Sequence, residues 1–376
     1  MDKGASIDYV INIFPKIKRG FLFLSLQEYY RQIENYELII KRFINDRTPR
    51  NIKIILKICI TLIFHSKKPQ YAIVNEAVEF SKKFKKESLI NAVLREFLRK
   101  QDSFKLDEKN INKSFKDSCN EIYTSKKIRS YIYESVFYKP NSYQISIKNN
   151  ENNFYRQRVA FLENNLSADY FVQDIGNFEI INSIKEFYND KEILDVCAAP
   201  GGKSILLSTY GFKVEALDKS QSQIDKFKQN IKRLNIDIKI TKKDFLNSKV
   251  NSKYNSILLD APCSAIGTFR RNPDVISKID KKKLKINQDI QFKMVDKSLN
   301  LLNNGGVLVY IVCSFHVFET MGVIDKILQK HKNINVENIQ SDKMIKKENG
   351  YFINPHSFKE YGGSDIFFVT VLRKQQ

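Results

Sequence analysis

Five short runs rich in aliphatic and β-branched residues recur between Glu192 and Cys313: EILDVC, FKVEALD, IDIKIT, YNSILLD and GGVLVYIVCS. The stretches between them have helix-like spacing, so strands and helices are expected to alternate. That alternation leaves few folds open, and the expected one is a mostly parallel sheet with helices on both faces. The last apolar run, SDIFFVTVLRK, is expected to join this sheet as an antiparallel strand at one edge.

The chain upstream has a different period. From Asp8 to about Lys127 apolar residues return every three or four positions, and almost no Gly or Pro interrupts them, as in packed amphipathic helices. Asn51 to Phe64 and Ile73 to Phe84 are two such helices, with Pro69 between them where a missing backbone donor does little harm. From Tyr138 to Asp169 the sequence is polar and irregular, with an Asn and Glu cluster at Asn149 to Asn153. The expected division is an all-helical domain over 1–130, a short connector over 131–170 and an α/β domain over 171–376.

With 42% hydrophobic residues in 376, each domain can build its own core. The cysteines Cys59, Cys119, Cys197, Cys263 and Cys313 are odd in number and widely spaced, without a CxxC pair. Neither a disulfide scaffold nor a metal site is expected, and a reducing, cytoplasmic setting fits them. The first residues lack the pattern of a secretory signal, and the most apolar stretches, Ile54 to Phe64 and Val307 to Phe315, fall short of the roughly 20 residues a bilayer requires. The formal net charge of +21 favours a polyanionic partner. Runs such as Lys281, Lys282, Lys283 and Lys285 also read as solvated helix faces.

The first strand of the alternating region runs into Cys197, Ala198, Ala199, Pro200, Gly201, Gly202 and Lys203, with a helix expected to start near Ser204. Two adjacent glycines permit a tight turn and close approach of a ligand at the carboxyl edge of a sheet, where α/β folds bind cofactors. The run is neither GxGxxG nor GxxxxGK[ST], so a dinucleotide fold and a P-loop are not directly supported. Asp218 closes the second strand, near the roughly 20-residue distance at which an acid meets ribose hydroxyls. Asp244 follows the third strand and Asp260 ends the fourth. Cys263 and Cys313 follow the fourth and fifth strands, so adjacent strands would bring two thiols to the same crevice, and a soft nucleophile there suggests covalent catalysis. Cys59 and Cys119 read as packing residues.

LDVCAAPGGKS, DAPCS with RRNPD, and VCSF together resemble the RNA cytosine-5 methyltransferase family. PQYAIVNEAVEF with LINAVLREFLRK resembles the NusB-like, RNA-binding helical domain of its Sun/Fmu branch, which methylates small-subunit ribosomal RNA. The resemblance implies a class I methyltransferase fold, Rossmann-like, and S-adenosylmethionine as cofactor. It implies small-subunit ribosomal RNA as partner, and a working monomer is the default expectation. It assigns the nucleophile to Cys313, product release to Cys263, and the cytosine ring to Asp260 oriented by Lys203. Cys197 to Lys203 would line the cofactor, with Asp218 at the ribose, Asp244 near the adenine and Asp260 toward the methyl group. Arg270 and Arg271 would face RNA or support the active-site loop. A helix expected just after Cys313 would help to ionise its thiol.

The sequence departs from the family pattern at Val312, Ala265 and Asn272, where Thr, Gly and His are common, and at Gln223 and Thr320, where Arg and Asn are common. None of these removes a reacting group. The connector is also short for the family's RNA-contacting subdomain. Three other readings stand beside this one. They are a DNA cytosine methyltransferase with Cys263 as nucleophile, an RNA-binding NusB-like assembly protein with an inactive methyltransferase domain, and a nicotinamide-dependent enzyme.

Overall fold

The computed structural model describes residues 7–14, 18–138, 143–146, 154–156, 170–188, 190–250 and 252–375. The chain forms two compact units. One comprises the residues up to Lys116 with Val136–Tyr138 and Asn272–Lys278, and the other Asp117–Ser135, Lys139–Arg271 and Ile279–Gln376.

The first unit holds α1 (Ile7–Ile13), α2 (Arg19–Arg31), α3 (Ile33–Ile40), α4 (Arg50–His65), α5 (Gln70–Ser81) and α6 (Glu87–Arg99). Its core follows from helical spacing. On α4 the buried apolar residues are Ile52, Ile55, Leu56, Cys59, Ile60 and Ile63, and on α6 they are Ile90, Val93, Leu94 and Phe97. These positions fall three or four apart and make one apolar stripe per helix. Each such side chain contributes about 1.5–3 kcal/mol when fully removed from water. Pro49 and Pro69 stand directly before α4 and α5, where no helical N–H is lost. Among the described residues, no helix is long and apolar enough to cross a membrane.

Two further helices, α7 (Lys113–Ile122) and α8 (Lys126–Ser135), follow, and the sequence division at 130 falls inside α8. Much of the expected connector, residues 139–142, 147–153 and 157–169, lies outside the described residues. Its described parts include β1 (Tyr143–Ser146) and β2 (Phe154–Arg156), which join β3 (Tyr170–Gln173) in an antiparallel sheet of order β2-β1-β3.

The α/β part continues with α9 (Ile175–Ile184), β4 (Glu192–Val196), α10 (Gly202–Thr209), β5 (Lys213–Asp218), α11 (Gln221–Leu234), β6 (Lys239–Lys242) and β7 (Tyr254–Asp260). Next come α12 (Lys281–Leu301), β8 (Leu302–Val312), α13 (Met321–Lys330), β9 (Ile334–Val336), β10 (Ile345–Lys347), β11 (Gly350–Ile353) and β12 (Phe367–Lys374). The sheet order is β10-β11-β12-β8-β7-β4-β5-β6, with β9 also paired to β12. β6, β5, β4, β7 and β8 are mutually parallel, as the alternating pattern predicts. β12 is antiparallel to β8 but lies inside the sheet, because β11 and β9 pair with its outer side. The antiparallel part is therefore wider than one edge strand. The signal for β11 is only GYFI, too short to register as a strand in a scan for alternation. The sheet's central strands are sealed by Ile180, Ile181, Ile184, Leu206, Leu258 and Ile311 among others.

Candidate active site

β4 lies between β5 and β7, so the chain leaves it toward one neighbour and returns on the other side. Such a switch point opens a crevice at the carboxyl ends of parallel strands. The run after β4 turns into it under tight backbone constraints. Cys197 has φ of 62° and Gly201 of 108°, both left-handed, and only glycine takes the second readily. A Cβ on Gly201 would also stand 2.8 Å from the Phe227 ring. The turn is tied to β5 by Ala198 N–H donating to Leu217 O (3.1 Å) and Ala199 N–H donating to Asp218 Oδ2 (3.1 Å). Asp218 accepts a second bond from Ser220 N–H at 2.8 Å.

The crevice presents polar groups to a ligand. Gln173, at the end of β3, is buried with neither amide atom hydrogen-bonded, and a Cβ on Gly202 would lie 3.4 Å from its Nε2. An orphaned amide beside the first residue of α10 and a carboxylate at the end of β5 offer a donor and acceptors to a polar ligand. Gln173 was not singled out by the sequence; its signal is a lone amide closing the apolar strand YFVQ.

Lys203, buried on α10, places Nζ 2.7 Å from Asp260 Oδ2 at the end of β7. Beneath them Asp195 is fully buried and accepts from Ser204 Oγ, while its other oxygen has no partner; burial pushes its carboxyl up to about 7. Cys197 is pushed up to about 12 by burial and then by Asp218, Asp260 and Asp195, which makes it a poor nucleophile. Asp244 bends back on its own loop, accepting from Leu246 N–H, Asn247 N–H and the Asn247 amide, which hold its carboxyl below the usual range.

β7 and β8 are hydrogen-bonded neighbours, and the loops that follow them bring Cys263 Sγ and Cys313 Sγ to 3.4 Å. The Cys263 thiol is pushed well above the ordinary range by its hydrogen bond with Cys313, then by burial and the nearby charges of Cys313 and Glu319. Cys263 therefore keeps its proton. The helix expected directly after Cys313 is not there. His316 caps a single 3₁₀ turn at Val317–Glu319, and α13 starts only at Met321. No helix N-terminus therefore directly follows Cys313.

The segment after Cys263 crosses the strand ends as a strap. Gly267 N–H donates to Cys313 O (3.0 Å), and Ile366 N–H donates to Gly267 O (3.0 Å). Arg270 is buried and donates to Gly362 O, whereas Arg271 pairs with the buried Asp365 and keeps about half its side chain exposed (48%). Both arginines thus brace the loop, and Arg271 alone also presents itself to solvent. Asp365 in turn donates its N–H to Asp174, the cap of α9, whose carboxyl is pushed up to about 6 by burial and then by Asp365.

Residues 183–373 match the family described as 16S rRNA methyltransferase RsmB/F, and residues 1–99 match the NusB family. A relative named ribosomal RNA small subunit methyltransferase B, from Photorhabdus laumondii subsp. laumondii, is 33% identical over 215 residues, covering 54% of this chain and 47% of that protein. The chain thus spans about half the length of the curated relatives it matches. Among solved structures, PH0851 superposes with a TM-score of 0.70 at 18% identity, over 96% of this chain and 93% of that one. NSun6 from Pyrococcus horikoshii, solved with SFG, gives 0.51 at 24% identity, over 59% and 58%. Both likenesses concern the fold.

Proposed function

Because the chain belongs to the 16S rRNA methyltransferase RsmB/F family, we propose that it methylates carbon 5 of a cytosine in small-subunit ribosomal RNA. The observation that carries this reading is the pair of thiols 3.4 Å apart on the loops after β7 and β8, with the Lys203–Asp260 ion pair at the end of β7. Carbon 5 of cytosine is a weak nucleophile, and thiolate addition at carbon 6 turns it into the reactive end of an enamine.

Cys313 adds to carbon 6. Asp260, fixed by Lys203, accepts a hydrogen bond from the protonated nitrogen 3 and so stabilises the proton that makes carbon 6 electrophilic. S-adenosylmethionine, once bound, supplies an electrophilic methyl group on a sulfonium. Cys197 to Lys203 would line its crevice, with Asp218 toward the ribose hydroxyls and Asp244 toward the adenine. After transfer the carbon 5 proton passes to solvent water, its bonding pair forms the carbon 5–carbon 6 double bond, and Cys313 leaves as thiolate with the carbon 6–sulfur pair. Cys263 assists that release and keeps its own proton until then.

Arg271 meets RNA phosphate from the rim of this loop, and the +21 net charge adds long-range attraction. Residues 1–130 form an RNA-binding helical domain and 171–376 the catalytic one, and the protein works as a monomer in the cytoplasm. The test uses small-subunit ribosomal RNA transcribed with cytidine tritiated at carbon 5. With S-adenosylmethionine, tritium release should match methyl incorporation. Methyl incorporation without tritium release would place the chemistry on another atom, and binding without either would favour the assembly-protein reading.

A further inference from the structure

Glu319 is fully buried, on the 3₁₀ turn that follows Cys313. Its Oε1 accepts from Ser264 N–H (2.7 Å) and Asn287 Nδ2 (2.8 Å), and its Oε2 from Ser264 Oγ (2.5 Å) and Ser314 Oγ (2.6 Å). Its backbone carbonyl also accepts from Tyr310 Oη at 2.7 Å. These four side-chain bonds come from neutral donors, the usual way a buried carboxylate is retained when hydrogen bonds replace its water. Ser264 directly follows Cys263, and Ser314 directly follows Cys313.

We propose that Glu319 is a positioning residue, a clamp that fixes the separation of the two thiols by binding the residue after each cysteine. β7 and β8 end at Asp260 and Val312, so strand pairing alone does not hold either sulfur. The carboxylate completes the connection beyond the strands. Asn287, on α12, ties it to the layer behind the sheet, and Gln291 of the same helix donates to Pro262 O (2.9 Å) on the other side of Cys263. The clamp touches none of the groups assigned to the cofactor, so its loss acts on the sulfurs. Only the consequence for turnover rests on the methyltransferase reading.

The test reads thiol geometry without RNA or cofactor. Diamide oxidises Cys263 and Cys313 to a disulfide, each sulfur losing its hydrogen to the diazene, which becomes the hydrazine. The rate follows from peptide mapping of the full chain. Glu319→Ala should slow this cross-link by about tenfold or more, since a misplacement near 1 Å is worth on the order of 10²-fold in a fixed geometry. Glu319→Gln should stay close to wild type, because its amide oxygen still accepts from Ser264 N–H and Asn287 while both serine hydroxyls can rotate to accept from its NH₂. A folded Glu319→Ala protein that cross-links at the wild-type rate overturns the clamp, as does Glu319→Gln being as slow as Ala. If Glu319→Ala does not fold, the Ser264→Ala/Ser314→Ala pair should be slowed instead, and an unchanged rate there overturns the proposal equally. In turnover, kcat should fall in Glu319→Ala while KM for S-adenosylmethionine holds. A wild type that cross-links normally but methylates no RNA would defeat the functional reading and leave the clamp standing.

Discussion

Replacing Gly267 by alanine should unseat the strap that links the two cysteine loops. A Cβ at this position would stand 2.1 Å from Ile366 O and 2.9 Å from Cys313 O. Both are backbone atoms, so no side chain can swing aside, and the crossing must open. Opening it strains or breaks the hydrogen bonds to Cys313 O and from Ile366 N–H. Two such bonds contribute about 1 kcal/mol each, and forcing packed backbone apart costs roughly 1–3 kcal/mol. The sum, about 3–5 kcal/mol, corresponds to a Tm lower by roughly 10 °C for a domain of this size. Thermal melting followed by circular dichroism measures this, and the diamide cross-link of Cys263 to Cys313 should slow in the same variant. A Gly267→Ala protein melting within about 2 °C of wild type, less than 1 kcal/mol, would refute the tight crossing.

Ala265 sits at φ of 57°, a left-handed conformation that costs a residue with a Cβ; Ala265→Gly should therefore stabilise the protein by about 1 kcal/mol, read as a higher Tm with activity retained. Lys203→Met leaves Asp260 without its 2.7 Å partner, and kcat for methyl transfer should fall by about 10²-fold or more while RNA binding persists in a filter assay. Asp195 holds its proton up to about pH 7 in the folded chain but only to about pH 4 unfolded. The folded state therefore binds the extra proton between those values, and stability falls as pH rises through that window. Asp195→Asn should melt with wild type at about pH 4 and several degrees above it at about pH 8; equal melting at both would show that Asp195 is not held protonated.

The parallel strands were legible because short runs rich in aliphatic and β-branched residues alternate with helix-like segments, and Asp218 and Asp260 close β5 and β7 where the pattern places them. The place of β12 inside the sheet was not, since β11 is four residues long and β9 three. Proximity of Lys203 to Asp260 is set by strand order rather than by local spacing, so only the family resemblance pointed to it, whereas the expected adjacency of their strands already brought Cys263 and Cys313 to one crevice. Glu319 was invisible for a different reason. A glutamate after an apolar stretch reads as a surface residue, and its burial depends on serines and an asparagine brought in from two other segments. The helix expected after Cys313 failed because His316 and Glu319 direct their side chains to turn and loop partners instead of starting a helix.

The central claim is the division of labour between the two thiols. Wild type, Cys313→Ala and Cys263→Ala are incubated with radiolabelled S-adenosylmethionine and small-subunit ribosomal RNA. The RNA is digested for 5-methylcytidine, and denaturing gels are run for protein-bound RNA. Cys313→Ala should give neither product nor adduct, and Cys263→Ala should accumulate RNA covalently bound to the protein. An adduct that survives in Cys313→Ala and disappears in Cys263→Ala would reverse the roles and contradict the account.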